Sequence, residues 1–474
     1  MLRRSLINVV SVCVLTAVVI AAVKGAQSPE AQTGRALSSS KPKVRAITGF
    51  VRLDQLRYRE QIAAALTVLR KAKGEFEAAG YEVESVRITT QPVGELVKGM
   101  SNSDALGFLK KLDDLSVAEN FLPNVGPAML RDSDDPKVMR LFAEVLSKLP
   151  NIEGSAIVAA DDGLHWKVIR ESAVLVRYVA ENSAHSQGNF NFTATAMLQP
   201  YAPFFPGSYH TGAGERFAIG FEGASVVQEV FARTGGDREA TSRELASALT
   251  RHAQLAELIG NRVALATGWK YMGVDPTPAP LGDVSIADAV ERYTGGKFGS
   301  SGTMTAAMVI TSAVKAVPVT QVGYSGLMVP VLEDKLLAQR WAEGRYNIDS
   351  LLAYSAVCGT GLDTVPLPGD ITEEQLARIF GDMATLAWKW RKPLSARLLP
   401  VYGKRPGERT EFSDPYLFNN HAASSALAAA AKESIAPKEC CLRPRAQGIR
   451  GAGHGGRAGA GWNQKTLPIR KNHF

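Results

Sequence analysis

Between residues 44 and 182 the hydrophobic pattern switches repeatedly between a period of two and a period of about 3.6, and that alternation restricts the architecture more than any other feature. Residues 44–53 (VRAITGFVRL) form a β-branched run with the pattern of a strand. Residues 55–79 carry apolar side chains at helical spacing and stop at Gly80. A second strand pattern follows at 81–90, and helical patterns at 102–120 and 136–149. The last of these opens on a proline, which the first turn of a helix tolerates because its N–H has no intrahelical acceptor there. SAIVAA at 155–160 is a short buried strand, and 162–182 is helical again. Strands separated by helices run parallel, because a parallel pair needs a crossover long enough to hold one. The expectation is therefore an α/β domain with substantial parallel sheet.

The middle of the chain changes character. Residues 188–209 (GNFNFTATAMLQPYAPFFPGSY) are expected to be a strand that runs into a rigid proline-aromatic loop. A short strand at 216–221 and helices at 225–231 and 238–266 follow. Residues 299–316 pair a small-residue turn with an alanine-rich helix, 325–331 are strand-like and 335–343 helical. At 351–370 the sequence reads as a glycine-punctuated loop bearing a thiol, a hydroxyl and two carboxylates. Thr372 and Gln375 have the spacing of a capping box, after which Leu376, Ile379, Phe380, Met383, Leu386, Ala387 and Trp390 trace one helical face. An alanine-rich stretch at 422–431 is compatible with a last helix.

The formal charge of +8 comes mostly from the two ends. Arg3, Arg4 and Lys24 lie at one, and a run of Lys and Arg after Pro437, opposed by Glu439 alone, lies at the other. What remains is close to neutral, so the pI of 9.2 does not point to nucleic acid, which requires a basic face on the folded body. Arg3 and Arg4 followed by an apolar run over 6–23 have the form of an export signal with cleavage near Gly25 or Ala26. The run is short for a membrane span, so secretion or a periplasmic location is expected, with a retained signal anchor as the alternative and no membrane association after cleavage. This divides the chain into a signal peptide (1–26), a flexible linker (27–43), an α/β domain (44–436) and a disordered, basic, Gly/Arg-rich tail (437–474). Cys358 is the one cysteine of the domain, so no internal disulfide supports it.

Several side chains are candidates for chemistry. Cys358 is a nucleophile if a cation or helix N-terminus activates it, and a small buried hydrophobe if not. Asp363 and Asp370 bracket VPLP, whose prolines fix the two carboxylates relative to each other; that suits acid/base work or a divalent cation such as Mg²⁺ or Ca²⁺. Against this, Asp370 is placed to cap the next helix and Asp363 to hold a turn. Gly359-Thr360-Gly361 is a small-residue turn able to present Thr360 and backbone N–H groups to an anion. Lys392 and Arg397 suit a carboxylate or phosphate, or else neutralise Asp363 or pair with Glu411. In the proline-aromatic loop His210 is an acid/base candidate, or a histidine beside a core plug. Asn189 and Asn191 alternate with Phe190 and Phe192, so on a strand both amides share one face, where Glu222 from the next strand joins them. The chain has no His-x-x-x-His, Cys-x-x-Cys or Gly-x-Ser-x-Gly, so zinc proteases, zinc ribbons and α/β serine hydrolases have no support.

Four long motifs, APFFPGSYH at 202–210, SGLMVPVLED at 325–334, AVCGTGLDTVPLPGD at 356–370 and RKPLSARLLP at 391–400, together resemble the DUF711 family over about residues 44–420. The related UPF0210 group is described as having a pyruvate formate-lyase-like fold, so the resemblance implies a barrel-like α/β domain, a parallel or mixed sheet surrounded by helices. It implies no established reaction. Glycyl radical enzymes carry an Arg-Val-x-Gly-type segment near the C-terminus, and Ile449-Arg-Gly-Ala-Gly453 does not fit it. Radical chemistry is therefore set aside, and an exported protein would in any case meet oxygen. The leading expectation is a hydrolase- or lyase-type enzyme acting on a small polar or anionic metabolite. Its site would bring together Cys358, Asp363 and His210 as catalytic groups with Asn189, Asn191, Glu222, Thr360, Asp370, Lys392 and Arg397 as ligand contacts. The alternative is a non-catalytic binding protein using the same pocket. An assembly of identical chains is compatible with either.

Overall fold

The computed structural model describes residues 40–423. The expected signal, most of the linker, the basic tail and nearly all of the alanine-rich stretch lie outside the described residues. Ten strands form one sheet: β1 (Lys43–Phe50), β2 (Val86–Thr89), β3 (Leu122–Pro127), β4 (Glu153–Ala160), β5 (Gly163–Leu164), β6 (Phe192–Ala196), β7 (Arg216–Glu222), β8 (Lys270–Asp275), β9 (Gly361–Pro368) and β10 (Leu394–Val401). Their order is β8-β7-β1-β2-β3-β4-β6-β10-β9, with β5 a short antiparallel partner of β4. The block β1-β2-β3-β4-β6 is parallel throughout, as the strand–helix alternation requires. β7 and β10 join it antiparallel on either side, and each carries a parallel neighbour, β8 and β9. The sheet is therefore mixed, with helices around it.

The two outer strands of this order are linked by a stretch of irregular chain. Val274 of β8 pairs with Gln321, and Asp363 of β9 pairs with Pro330, so residues 320–331 span from one edge to the other and complete a barrel-like wall. The strand expected at 325–331 is absent because this segment has no long edge to lie along. It is pinned instead by side chains. The carboxylate of buried Asp275 accepts from the N–H groups of Thr277 (3.1 Å), Tyr324 (2.8 Å) and Ser325 (3.0 Å) and from the Thr277 hydroxyl (2.5 Å). Asp334, fully buried, accepts from the Ser285 hydroxyl and from the N–H groups of Ile286, Leu336 and Leu337, so one carboxylate serves the starts of two helices. Gly326 and Gly359 cross backbone to backbone: a Cβ on Gly359 would lie 2.5 Å from the Gly326 Cα, which accounts for the glycine there as a close approach. Removing the Asp275 acceptor strands several buried donors, so Asp275→Ala is expected to lower the unfolding free energy by about 3 kcal/mol or more, read from urea midpoints at constant slope.

The sequence pattern located the helices Asn102–Glu119, Lys137–Lys148, Arg238–Thr267 and Lys335–Ala342 within a residue or two, as well as Glu373–Trp390, whose capping box is made by Thr372 and Gln375, but it gave no sign of Ile286–Thr294 or Ile348–Ser355. Two expectations are corrected, and three strands were not anticipated. Residues 361–368 are a strand, not a loop; Pro366 and Pro368 are tolerated because β9 is an outer strand of the ladder. The segment holding Arg397 is also a strand, β10. Residues 184–191 form 3-10 turns, so Asn189 and Asn191 do not alternate along a strand. β3, with a proline at each end of LPNVGP, and β8 carry too little β-branched character to be visible in the sequence.

Inside the barrel lies the proline-aromatic loop. Thr48 of β1 donates to the Pro203 carbonyl (2.7 Å), Asn124 of β3 donates to the Pro206 carbonyl (2.8 Å), and the hydroxyls of Thr89 (β2) and Ser208 are 2.8 Å apart. Inward side chains of three neighbouring strands thus hold a finger of chain, which ends the accessible interior at Phe204, Phe205 and Pro206.

Candidate functional site

A cavity of about 230 Å³ opens above this finger. It lies at the N-terminal ends of the parallel strands, where Glu84 and Ser85 lead into β2, Pro150 and Asn151 into β4, and Asn191 into β6. Phe204, Phe205, Ala279, Pro280, Met328 and Pro330 make an apolar wall. Six of the ten strands contribute polar groups to the rest: Arg45 (β1), Arg87 (β2), Glu153 (β4), Thr193 (β6), Asp363 (β9), Ser395 and Arg397 (β10).

Two irregularities aim the key charges. Thr48 points inward, so strict alternation would turn Arg45 outward. Pairing with β7 slips between Val44 and Ala46, which makes Arg45 the extra residue of a bulge and sends it to the cavity. On β9 the register slips between Leu362 and Val365, opposite Ala396 and Leu398 of β10; Asp363 and Thr364, the latter with a φ of 47°, occupy that bulge.

The bulged residues belong to one ion-pair chain. Arg397 Nε donates to Asp363 Oδ1 (2.8 Å), and its Nη2 donates to Glu333. Glu333 Oε2 accepts from Arg45 Nη2 (3.1 Å), and Arg45 Nη1 donates to Glu222 Oε2 (2.6 Å). Burial pulls both guanidinium pKa values down, but the surrounding carboxylates outweigh it and hold both above the ordinary range. Burial pushes Glu222 up to about 7 against the pull of Arg45, and pushes Glu333 up as well. Arg397 also lies 4.7 Å from the centre of the Phe190 ring.

Two cavity groups stand outside this chain. Arg87 donates through Nε to the Ser85 hydroxyl (2.9 Å) and lies 5.0 Å from the centre of the Phe205 ring, with no carboxylate within ion-pair distance among the described residues. Burial lowers it to about 10. Glu153 has neither a hydrogen-bond nor an ion-pair partner among the described residues; burial raises it from 4.5 to about 7, against the pull of Arg87 and Arg397. Beside Glu153, Thr193 and Ser155 face each other across β6 and β4, and both hydroxyls are buried without a partner in the described residues. Buried polar atoms are normally satisfied, which sets these two hydroxyls apart from most buried polar groups of the fold.

Of the residues expected from sequence, Asp363, Thr360, Asn191 and Arg397 line the cavity, and Glu222 joins the ion-pair chain through Arg45. The others are elsewhere. Cys358 is 1% exposed and packs in the hydrophobic core. Lys392 donates to the carbonyls of Ser355 (2.8 Å) and Cys358, at the end of the Ile348–Ser355 helix, instead of facing a ligand. Asn189 is buried and spends its amide on the Val176 carbonyl. Asp370 is solvent-exposed, and the adjoining helix is capped by Thr372. His210 is fully buried near Phe50 and Tyr201, does not line the cavity, has no partner on either ring nitrogen in the described residues, and is lowered by burial to about 4. The residues that sequence reasoning missed are Arg45, Arg87, Glu153, Thr193, Ser155 and Glu333. Arg45 and Arg87 did leave a signal: each is a lone charge inside a β-branched run, VRAI and VRIT. Among the described residues no group of three or more His, Cys, Asp or Glu side chains is placed to hold a metal ion, and no helix is long and apolar enough to cross a membrane.

The family described as "Uncharacterised ACR (DUF711)" matches residues 35–419. The chain belongs to the DUF711 family. Among relatives of this DUF711 chain, the UPF0210 protein of Pyrobaculum aerophilum is 32% identical over 359 residues, covering 71% of this chain and 78% of its own. The UPF0210 protein of Desulforudis audaxviator is 28% identical over 411 residues, covering 80% and 90% respectively. A solved structure of the anaerobic ribonucleotide reductase from Thermotoga maritima in complex with dATP and CTP overlaps 78% of each chain, with 9% identity and a TM-score of 0.34, too little to support an argument about this DUF711 protein.

An unpaired, half-buried carboxyl has a consequence for stability. Glu153 binds more protons in the folded than in the unfolded chain between its ordinary value of 4.5 and about 7, so its contribution to stability falls as pH rises through that window and stays low above it. Glu153→Gln is expected to be more stable than wild type above pH 7, by up to about 3 kcal/mol, with the difference shrinking toward pH 4. Thermal or urea unfolding across that range measures it.

Proposed function

We propose that this protein is an enzyme of proton-transfer chemistry, of the hydrolase or lyase type, acting on a small anionic molecule held in the barrel cavity. The observation that carries this reading is the pair Arg87 and Glu153: a guanidinium and a carboxyl lining one small cavity, neither of them in an ion pair among the described residues, beside cavity charges that are paired. Arg87 holds the anionic group of the ligand. Glu153, with a pKa near neutrality, exchanges a proton with it, since a group of that pKa exists in both forms at working pH. The chain Asp363–Arg397–Glu333–Arg45–Glu222 fixes the walls against which the ligand is oriented and does not itself transfer protons. The test is a screen of small organic acids for turnover by the full chain beside Glu153→Gln. Activity in the wild type that is lost in the variant while ligand binding persists supports an enzyme. Binding without turnover in both supports the rival reading, a non-catalytic binding protein. Export is part of the proposal, from Arg3, Arg4 and the apolar run behind them; sequencing the N-terminus of the mature protein tests it.

A further inference from the structure

The cavity's charges, taken one by one, narrow the ligand further, on the assumption that the site just proposed is real. Asp363 and Glu333 are held by Arg397 and Arg45. Glu84 lies 3.5 Å from both Arg45 and Lys43. Glu153 and Asp414 have no cation within ion-pair distance among the described residues, and Arg87 has no anion. The unmet charge is thus one cation against two carboxyls. A dianion such as a phosphate monoester would bring two negative charges to a single free guanidinium, with carboxyls on either side and little water to screen them. One negative charge is what Arg87 can neutralise, and its planar fork matches a carboxylate.

The second constraint comes from the orphaned hydroxyls. Thr193 lines the cavity, and Ser155 is its register partner; both are buried, and both are able to donate and accept. Ser155 lies two residues from Glu153 on the same face of β4, and Thr193 lies opposite Ser155 on the neighbouring β6. A ligand that reached Arg87 with a bare hydrocarbon chain would leave them unsatisfied. The volume adds a third constraint: about 230 Å³ is below the roughly 300–1,000 Å³ of sites for drug-sized molecules.

We infer that the ligand is a small monocarboxylic acid bearing a hydroxyl or amino group close to its carboxylate, with the carboxylate on Arg87, the substituent on Thr193 and Ser155, and any apolar part against Met328, Pro330 and Phe204. Phosphorylated acids are excluded by charge, and unsubstituted acids are disfavoured by the two hydroxyls.

Calorimetric titration of the full chain tests this with matched sets of four compounds: a short monocarboxylic acid, its hydroxy form, its amino form and the phosphorylated hydroxy form, plus the neutral amide of the best binder. The hydroxy or the amino acid is expected to bind at least about tenfold more tightly than the unsubstituted and phosphorylated compounds, the loss of one good polar contact being worth roughly that factor. Which of the two binds better identifies the source of the substituent. The amide should lose a similar factor in the wild type and nothing further in Arg87→Gln, and Thr193→Val should erase the preference for the substituted acid. Tighter binding of the phosphorylated compound overturns the inference, as does a preference that survives both substitutions. The ligand-side comparisons need only the wild-type chain, so they decide the matter even if a variant does not fold. A substituted acid that binds as described but is never turned over leaves this inference standing and sinks the enzymatic reading; turnover of an acid of another class, dependent on Glu153, does the reverse.

Discussion

Glutamine at position 153 is expected to lower turnover by about 10²–10⁴-fold while raising the stability of the chain. The two effects have one cause. A half-buried carboxyl with no ion-pair partner among the described residues costs free energy when it ionises, which is what moves its pKa to about 7, and that value is what makes it a proton exchanger at neutral pH. Glutamine keeps the shape, removes the titration and leaves nothing to desolvate as an ion. A structural residue would show the opposite pairing, with stability lost and any activity loss following from unfolding. The wild-type rate should also titrate near pH 7, rising through it if Glu153 is a base and falling if it is an acid. A flat profile there, together with undiminished turnover in Glu153→Gln, would remove Glu153 from the chemistry. Binding should change by much less than the rate, because the anionic group rests on Arg87.

The largest effect on folding is expected at Arg397. Its guanidinium holds Asp363 and Glu333 at once, and it is 8% exposed. Arg397→Ala leaves two carboxylates in a desolvated wall, a change that costs about 3–5 kcal/mol when one partner of a buried pair is removed. The loss should be smaller at acid pH, where Glu333, already pushed up by burial, takes a proton instead. Adding Glu333→Gln should recover part of it, since one of the two stranded charges is gone and Arg45 still has Glu222. Urea unfolding of the wild type, both single variants and the double variant measures the coupling. Additive losses would mean that Arg397 acts by packing on Phe190 and not by charge.

The parallel part of the architecture was legible because its code is local: strand and helix periods alternate from residue 44 to 182, and parallel pairing follows from crossover length. The charged part of the site was legible only where charge was conspicuous. Asp363 and Arg397 stood out among glycines and prolines and do meet, 2.8 Å apart. Their neighbours Cys358, Asp370 and Lys392 stood out equally and are spread over the core, the surface and the end of a helix, because closeness in sequence along a strand and its flanking turns does not mean closeness to one cavity. Arg45 depends on a bulge, and no single-strand pattern predicts a bulge that exists only in pairing with β7. Glu153 and Thr193 are ordinary residues at strand beginnings. What distinguishes them is the lack of a partner, a property of the whole fold.

The closure of the barrel has a consequence of its own. Most neighbouring strands in the wall are held by ladders of several paired residues, whereas residues 320–331 are held by isolated bridges, by the carboxylate of Asp275 and by scattered single bonds to Thr277, Thr311, Gly359 and Thr360. Fluctuations concentrate where the fewest bonds must break together, so amide protons of this seam should be the earliest of the wall to exchange with solvent. Because Tyr324, Met328 and Pro330 lie on that seam and also face the cavity, early exchange there would make this the flank on which a guest of unusual size is accommodated.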